Sequence, residues 1–366
     1  MEHQRRPSME DQAIHLLRRL TEAHGVAGFE DEVRDIFRDS LSGTVIEDNL
    51  GSLFVRRDGG KDRPVVMLAA HFDEVGYAVQ SITAEGYVHV ALLGGIWSHT
   101  ALGQRVRILT ADRGEVIGIV ASKPIHFTTE TERKQVVPIE DLLIDIGARS
   151  EAEARERFGL RIGQPITFDS EFIQLEGTSL VVAKALDNRA GVALVMTVAE
   201  MLADGRQHNT VFCGATCQEE LRGRGAQTSA RLIQPDIALV IEGIPADDYK
   251  GSKQSIRQGE LGKGVQIRIM DGSAIMNRKL NQLILDVAEE NGIPTQLSVR
   301  RSGGTDAGPI SLNDSGVPVA VLGIPVRYVH TANSMMDMTD FLNAVKLTRE
   351  VIARLDETAC AGLVEP

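Results

Sequence analysis

With 366 residues, 43% of them hydrophobic and 25% charged, the chain has the composition of an ordinary globular protein, long enough for two or three domains. A net charge of −12 and a pI near 5.3 argue against nucleic acid as a partner, no basic run being longer than a pair such as Arg5 and Arg6. No apolar run approaches the roughly 18 residues that span a bilayer, and the opening MEHQRRPSMEDQ lacks the apolar stretch of a secretory signal, so the expectation is a soluble, cytoplasmic protein with no membrane partner.

In chain order, two amphipathic helices come first, with Ile14, Leu17 and Leu20 and then Val33, Ile36, Phe37 and Leu41 at helical spacing. Almost wholly apolar runs follow at Pro64 to Ala70, Thr210 to Ala215, Asp236 to Ile241 and Val317 to Gly323, the pattern of strands buried on both faces. Helical periodicity separates them over Ala190 to Leu202, Lys279 to Asn291 and Thr339 to Leu355. Strands alternating with helices predict an α/β sandwich around a mainly parallel sheet. From about Tyr77 to Gln174 the texture changes to short alternating runs (Val88 to Leu93, Arg105 to Leu109, Glu115 to Ala121, Pro165 to Phe168) punctuated by Gly94-Gly95, Gly114 and Gly163. That predicts a β-rich domain over 77–174, inserted between two parts of the main domain at 1–76 and 175–366. Cys213, Cys217 and Cys360 are too few for a disulfide framework; Cys213 and Cys217 read as small buried hydrophobes in a reducing compartment.

The metal-competent residues fall where such a sheet binds ligands. His71, Glu219-Glu220, Glu242 and His330 each lie at or shortly after the end of an apolar run, and open α/β sheets bind ligands beyond the carboxyl ends of their strands. In AAHFDEVG, His71 and Asp73 are two apart in extended chain and share a face, so Asp73 can accept the free imidazole N–H of a metal-bound histidine. Asp187, in AKALDNRAG, precedes a helical pattern, where a carboxylate is either an N-cap or, here, a bridge between two ions. Charge arithmetic bears on the bridge: Asp187, Glu220, Glu242 and one hydroxide balance two divalent cations, with two neutral imidazoles completing the shells. Imidazole and carboxylate without thiolate favour zinc, cobalt or manganese. Glu219 and Glu220, read as adjacent residues of extended chain, point apart. One can bind an ion while the other takes a proton from water and passes it to a leaving amine.

The motifs AAHFDEVGYAV, LLGGIWSHTALGQRV, VVPIEDLLIDIGARS, VVAKALDNRAG, CQEELRGRGA, LVIEG, SGGTDAGP and IPVRYVHTANSMMDM, in this order, resemble those of the M42 family of metallo-aminopeptidases. The resemblance covers nearly the whole chain and points to that family's glutamyl and tetrahedral aminopeptidase group within the zinc-peptidase clan. It implies a two-metal aminopeptidase acting on short peptides, with His71, Asp187 and Glu242 as ligands of one ion and Asp187, Glu220 and His330 of the second. It also implies Glu219 as general base and Asp73 as the catalytic-site carboxylate behind His71. The implied fold is a zinc-peptidase-like α/β/α sandwich whose PDZ-like insert dimerises, with dimers building a hollow tetrahedral dodecamer. LRGRGA after the two glutamates and TANSMMD after His330 depart from the family's commonest form and bear on substrate preference, because they border the metals. For Arg222, Arg224 and Arg301, attraction of an acidic substrate side chain competes with simple solvated surface. Three other functions compete. A carboxylate-pair glycosidase (endoglucanase) gives His71 and His330 no part, a metal-dependent deacylase or carboxypeptidase would accept a blocked N-terminus, and an inert scaffold has no need of the ligands.

Overall fold

The computed structural model describes residues 8–253 and 257–363, so the Arg5 and Arg6 pair lies outside the described residues. Helix α1 (Met9–Glu22) opens on a capping box between Ser8 and Asp11 and buries Leu17 and Leu20, while α2 (Asp31–Ser40) buries Val33 and Phe37. The chain then forms β1 (Val45–Glu47), β2 (Leu53–Arg57) and the fully buried β3 (Val65–His71). The next six strands are β4 (Gly76–Ile82), β5 (Val88–Leu93), β6 (Arg105–Thr110), β7 (Gly114–Val120), β8 (Leu143–Asp145) and β9 (Pro165–Phe168). They close a barrel in the order β4-β5-β8-β7-β6-β9, with α3 (Ser98–Ala101) and α4 (Glu151–Glu156) in its connections. Strict alternation fills it: along β7, Val116, Gly118 and Val120 face inward while Glu115, Ile117 and Ile119 face out.

After the barrel come β10 (Ile173–Gln174), β11 (Leu180–Ala183), α5 (Leu186–Met201), β12 (Thr210–Thr216), α6 (Arg224–Ile233), β13 (Ile237–Pro245) and β14 (Val265–Met270). The chain ends with α7 (Arg278–Glu290), β15 (Thr295–Val299), α8 (Ala307–Ser311), β16 (Val319–Arg327), β17 (Ser334–Asp337), α9 (Met338–Arg354) and α10 (Glu357–Ala361). Eleven strands form the main sheet, in the order β1-β2-β12-β3-β13-β16-β17-β11-β10, with β14 joined to β16 and β15 to β14. The expected mainly parallel sheet needs correction: β12, β3, β13 and β16 are mutually parallel, and β14 with β15, but every other pair is antiparallel. Short connections such as those between β1 and β2 or β16 and β17 can join only antiparallel neighbours, and the apolar runs marked the centre alone.

Both faces of that centre are covered. Val66, Leu68 and Ala70 of β3 pack in the core shared with α1, α5 and α9, and Val65, Met67 and Ala69 in the core shared with α6 and α8. Where sheet and barrel meet, buried Lys184 donates to Glu74 at 2.7 and 2.9 Å and to the Ala23 carbonyl at 2.8 Å. Arg189, also buried, donates to the carbonyls of Leu20, Gly25 and Phe72. These two cations fix the turn that leaves β3, next to His71. Among the described residues no helix is long and apolar enough to cross a membrane.

Candidate metal centre

The centre lies at the carboxyl ends of the parallel strands. His71 closes β3, and Thr216 of β12 stands opposite it in register. On the other side β13 brings Glu242 Oε1 to 3.1 Å from His71 Nε2. Glu242 lies inside its strand rather than after it, because Gly243, Ile244 and Pro245 continue to pair with β16. Asp187 sits in a non-helical stretch at the start of α5, and the capping role falls to Asn188, whose Oδ1 accepts the Gly191 N–H. Asn188 also donates to the Ile241 carbonyl at 2.8 Å, which ties Asp187 to the strand that carries Glu242.

Glu219 and Glu220 do not lie in extended chain. They open a 3₁₀ turn (Glu219–Leu221) entered through Gln218 and left through Arg222, both in the left-handed region. The side chains still diverge, since one residue of such a turn rotates by about 120°. Glu219 Oε2 lies 3.9 Å from His71 Nε2, and Glu220 Oε1 lies 3.1 Å from His330 Nε2. Asp73 holds the turn by accepting the Glu219 and Glu220 N–H groups at 2.9 and 3.0 Å. The nearer acceptor for His71 Nδ1 is the Asp73 carbonyl, at 3.0 Å, with its carboxylate at 3.4 Å. His330 follows β16 with Nδ1 2.6 Å from the Gly95 carbonyl. A carbonyl only accepts, so Nδ1 carries the hydrogen in both histidines and Nε2 faces the carboxylates.

The structure thus brings the sequence-predicted ligands into two groups. Atoms of His71, Asp187 and Glu242 lie within 4.8 Å of one another, as do those of Asp187, Glu220 and His330, and Asp187 is common to both. The donor set fits divalent cations on its own chemistry. Asp187 Oδ1 and Glu242 Oε2 are buried without a well-formed hydrogen bond, a costly state for carboxylates unless a cation compensates them. Burial raises Glu219 well above the usual carboxylate range, against the pull of His71. It raises Glu242 to about 8 and Asp306 to about 7, again against His71. Asp306 is a buried neighbour of the centre that its motif, SGGTDAGP, contained but did not single out: it acts electrostatically on Glu242 and Glu219, its Oδ2 accepts the Thr216 hydroxyl and its Oδ1 is buried and unpartnered.

These shifts fix a pH dependence for the ion-free chain. From the ordinary carboxylate values up to about 7 for Asp306 and about 8 for Glu242, the folded chain keeps protons that the unfolded chain has released, so stability falls as pH rises. Burial opposes charge on His330, but hydrogen bonds to Asp187 and Glu220 raise it to about 11, which adds a loss of the same sign above about 6.5. The melting temperature measured in chelator is therefore expected to fall from about pH 5 to about pH 8, and saturating zinc to remove most of that fall. A profile unchanged by zinc would count against an ion in this cluster.

The centre opens onto a cleft of about 790 Å³ whose lining includes Arg222, Arg268 and Arg300. Of the three arginines weighed from sequence only Arg222 borders it; Arg224 and Arg301 do not. Arg300 is engaged by Asp247 at 3.0 Å. Arg268, buried on β14, has an unpartnered Nε and its carboxylate neighbour Asp271 at 3.6 Å.

The family model described as M42 glutamyl aminopeptidase matches residues 51–347, and a second, AMPT, matches residues 11–37. The glutamyl aminopeptidase of Lactococcus lactis subsp. cremoris (strain MG1363) is 33% identical over 349 residues, covering 94% of this chain and 97% of its own length. Among solved structures, the TET aminopeptidase of the marine sediment archaeon Thaumarchaeota archaeon SCGC AB-539-E09 superposes with a TM-score of 0.92 at 40% identity, over 98% of this chain and all of its own. The Pyrococcus horikoshii TET1 peptidase, described as able to assemble into a tetrahedron or a large octahedral shell, gives 0.82 at 30% identity over 94% of this chain and 100% of its own.

Proposed function

The chain belongs to the M42 glutamyl aminopeptidase family, and from that premise we propose that it is a dinuclear metallo-aminopeptidase cleaving single residues from the N-termini of short peptides. The observation that carries the reading is the pair of ligand groups meeting at Asp187, with buried carboxylate oxygens left over for ions. His71, Asp187 and Glu242 hold one ion and Asp187, Glu220 and His330 the other, with zinc the first candidate and cobalt or manganese the alternatives. Ions there supply Lewis acidity toward a peptide carbonyl and toward water.

The chain's own groups do the rest. Glu219 takes the proton of the attacking water and returns it to the departing amine, a task suited to a carboxylate whose proton affinity burial has raised. The Asp73 carboxylate keeps Glu219 in place by accepting the Glu219 N–H, and the carbonyls behind His71 and His330 keep both imidazoles in the tautomer that binds through Nε2. The carboxylates of the centre attract the free ammonium of a peptide N-terminus, and Arg268 in the cleft lining offers a counter-charge to a substrate carboxylate. We further read the covered main sheet as the zinc-peptidase-like α/β/α sandwich and the barrel as its PDZ-like insert. On that reading the insert pairs the chains into dimers that build a tetrahedral dodecamer; the descriptions of the Pyrococcus horikoshii TET1 peptidase and of a second TET1 structure, which name a tetrahedron and a dodecamer, support the size and shape of such an assembly. A reducing cytoplasm suits the three free, buried cysteines.

A panel of aminoacyl p-nitroanilides with free and acetylated amines, assayed after chelation and after return of zinc, cobalt or manganese, tests the reading. Ion-dependent release from the free amines alone is expected. Cleavage of the acetylated substrates would transfer the site to deacylase chemistry, and intact free-amine substrates with every ion would end the aminopeptidase reading.

A further inference from the structure

The two imidazoles of the centre are held in different ways. His71 takes its Nδ1 partner from two residues along its own chain and its side chain is 2% exposed. The side chain of His330 is 34% exposed, and its Nδ1 partner belongs to another part of the fold: the Gly95 carbonyl, in the connection that leaves β5 of the barrel. That connection also touches Glu220. Gly94 has φ +84, and a Cβ there would stand 3.1 Å from Glu220 Cβ and Oε2 and 2.7 Å from Val75 Cγ1. Only a glycine both adopts this conformation freely and leaves Glu220 its room.

An asymmetry follows from where the remaining ligands sit. His71 and Glu242, which complete the first group with Asp187, lie on β3 and β13 at the centre of the main sheet. Of the two that complete the second, Glu220 borders Gly94 and His330 borders Gly95. Resting on the two-ion reading above, we propose that the Gly94–Gly95 connection is a positioning element for the second ion, so that the barrel tunes the affinity for that ion and leaves the affinity for the first unchanged. The physical route is short. Binding through Nε2 requires the hydrogen on Nδ1, and the Gly95 carbonyl fixes both that tautomer and the ring's rotation. A shift of the barrel against the sheet moves the carbonyl and the wall beside Glu220 together, and leaves His71 and Glu242 where they were.

The test is cobalt binding to the full-length protein, followed by calorimetry and by the visible absorption of bound cobalt, in wild type, Gly94→Ala and Gly95→Val. Gly95 is outside the left-handed region and its Cβ would stand 3.7 Å from His330 Nδ1, so valine crowds the ring without backbone strain and decides the matter if Gly94→Ala fails to fold. Gly103→Ala is the control: φ is +77, as strained as Gly94, with no atom within 4 Å of the added carbon. Wild type and control are expected to take two ions per chain. The two variants are expected to keep the first ion at wild-type affinity and bind the second about 10–100-fold more weakly, the usual loss when an outer partner of a ligand is disturbed. Two ions at wild-type affinity in both variants, or equal weakening of both ions, overturns the proposal. A wild-type chain that takes a single ion overturns the two-ion reading itself, a result that needs no variant to recognise.

Discussion

Glu219→Gln is expected to lower kcat by about 10²–10⁴-fold, the range that a positioned general base contributes, while the protein still binds two ions and its substrate. The substitution preserves shape and removes only the ability to hold a proton. Glu219 belongs to neither ligand group and its nearest approach to an imidazole is 3.9 Å, so ion uptake has no reason to change. Single-turnover kinetics with a chromogenic substrate, beside ion content measured by mass spectrometry, separate the two effects. A variant that loses an ion along with activity would make Glu219 a ligand, and one that keeps full kcat would hand the proton transfer to another group.

Asp187→Ala is expected to be more damaging still, because it takes a ligand from both groups. Binding of both ions should weaken together, with a fall in activity on the order of 10³-fold or more, given that Lewis-acid stabilisation amounts to several kcal/mol. Glu242→Ala and His330→Ala sit in one group each and provide the contrast: each should weaken a single ion. Titrating the three variants with cobalt distinguishes the patterns. If Asp187→Ala loses one ion and retains the other at wild-type affinity, Asp187 is not shared.

How much of this was legible in the sequence depended on whether a side chain or a backbone group did the work. His71, Glu242 and His330 announced themselves because each follows or ends an apolar run, and a run buried on both faces has few other interpretations. The barrel announced itself by alternation and glycine punctuation, as along β7. Asp187 was ambiguous for a physical reason: a carboxylate before a helix looks the same whether it caps or binds, and what the structure adds is that Asn188 makes the capping hydrogen bond. The contacts that the sequence could not display are those made by main-chain atoms. The Gly95 carbonyl on His330, the Asp73 carbonyl on His71 and the N–H groups of the Glu219–Leu221 turn carry no residue signature. Arg268 was hidden differently, as one charge inside the buried strand VQIRIM, and Arg301 was preferred to Arg300 although only the latter borders the cleft.

The arrangement of the central strands also bears on when the protein acquires its activity during synthesis. β3 lies between β12 and β13 in the sheet, yet the whole barrel and α5 separate β3 from β12 along the chain. Pairings between such distant segments form late, after the loops between them have been closed. His71 therefore leaves the ribosome long before Glu220 or Glu242 is available to it, and His330 is added only after β16 has been made. On the proposed mechanism, a partly made chain has no complete ion pair and cannot trim the N-termini of neighbouring nascent chains. A peptidase whose ligands came from one contiguous segment would have no such delay.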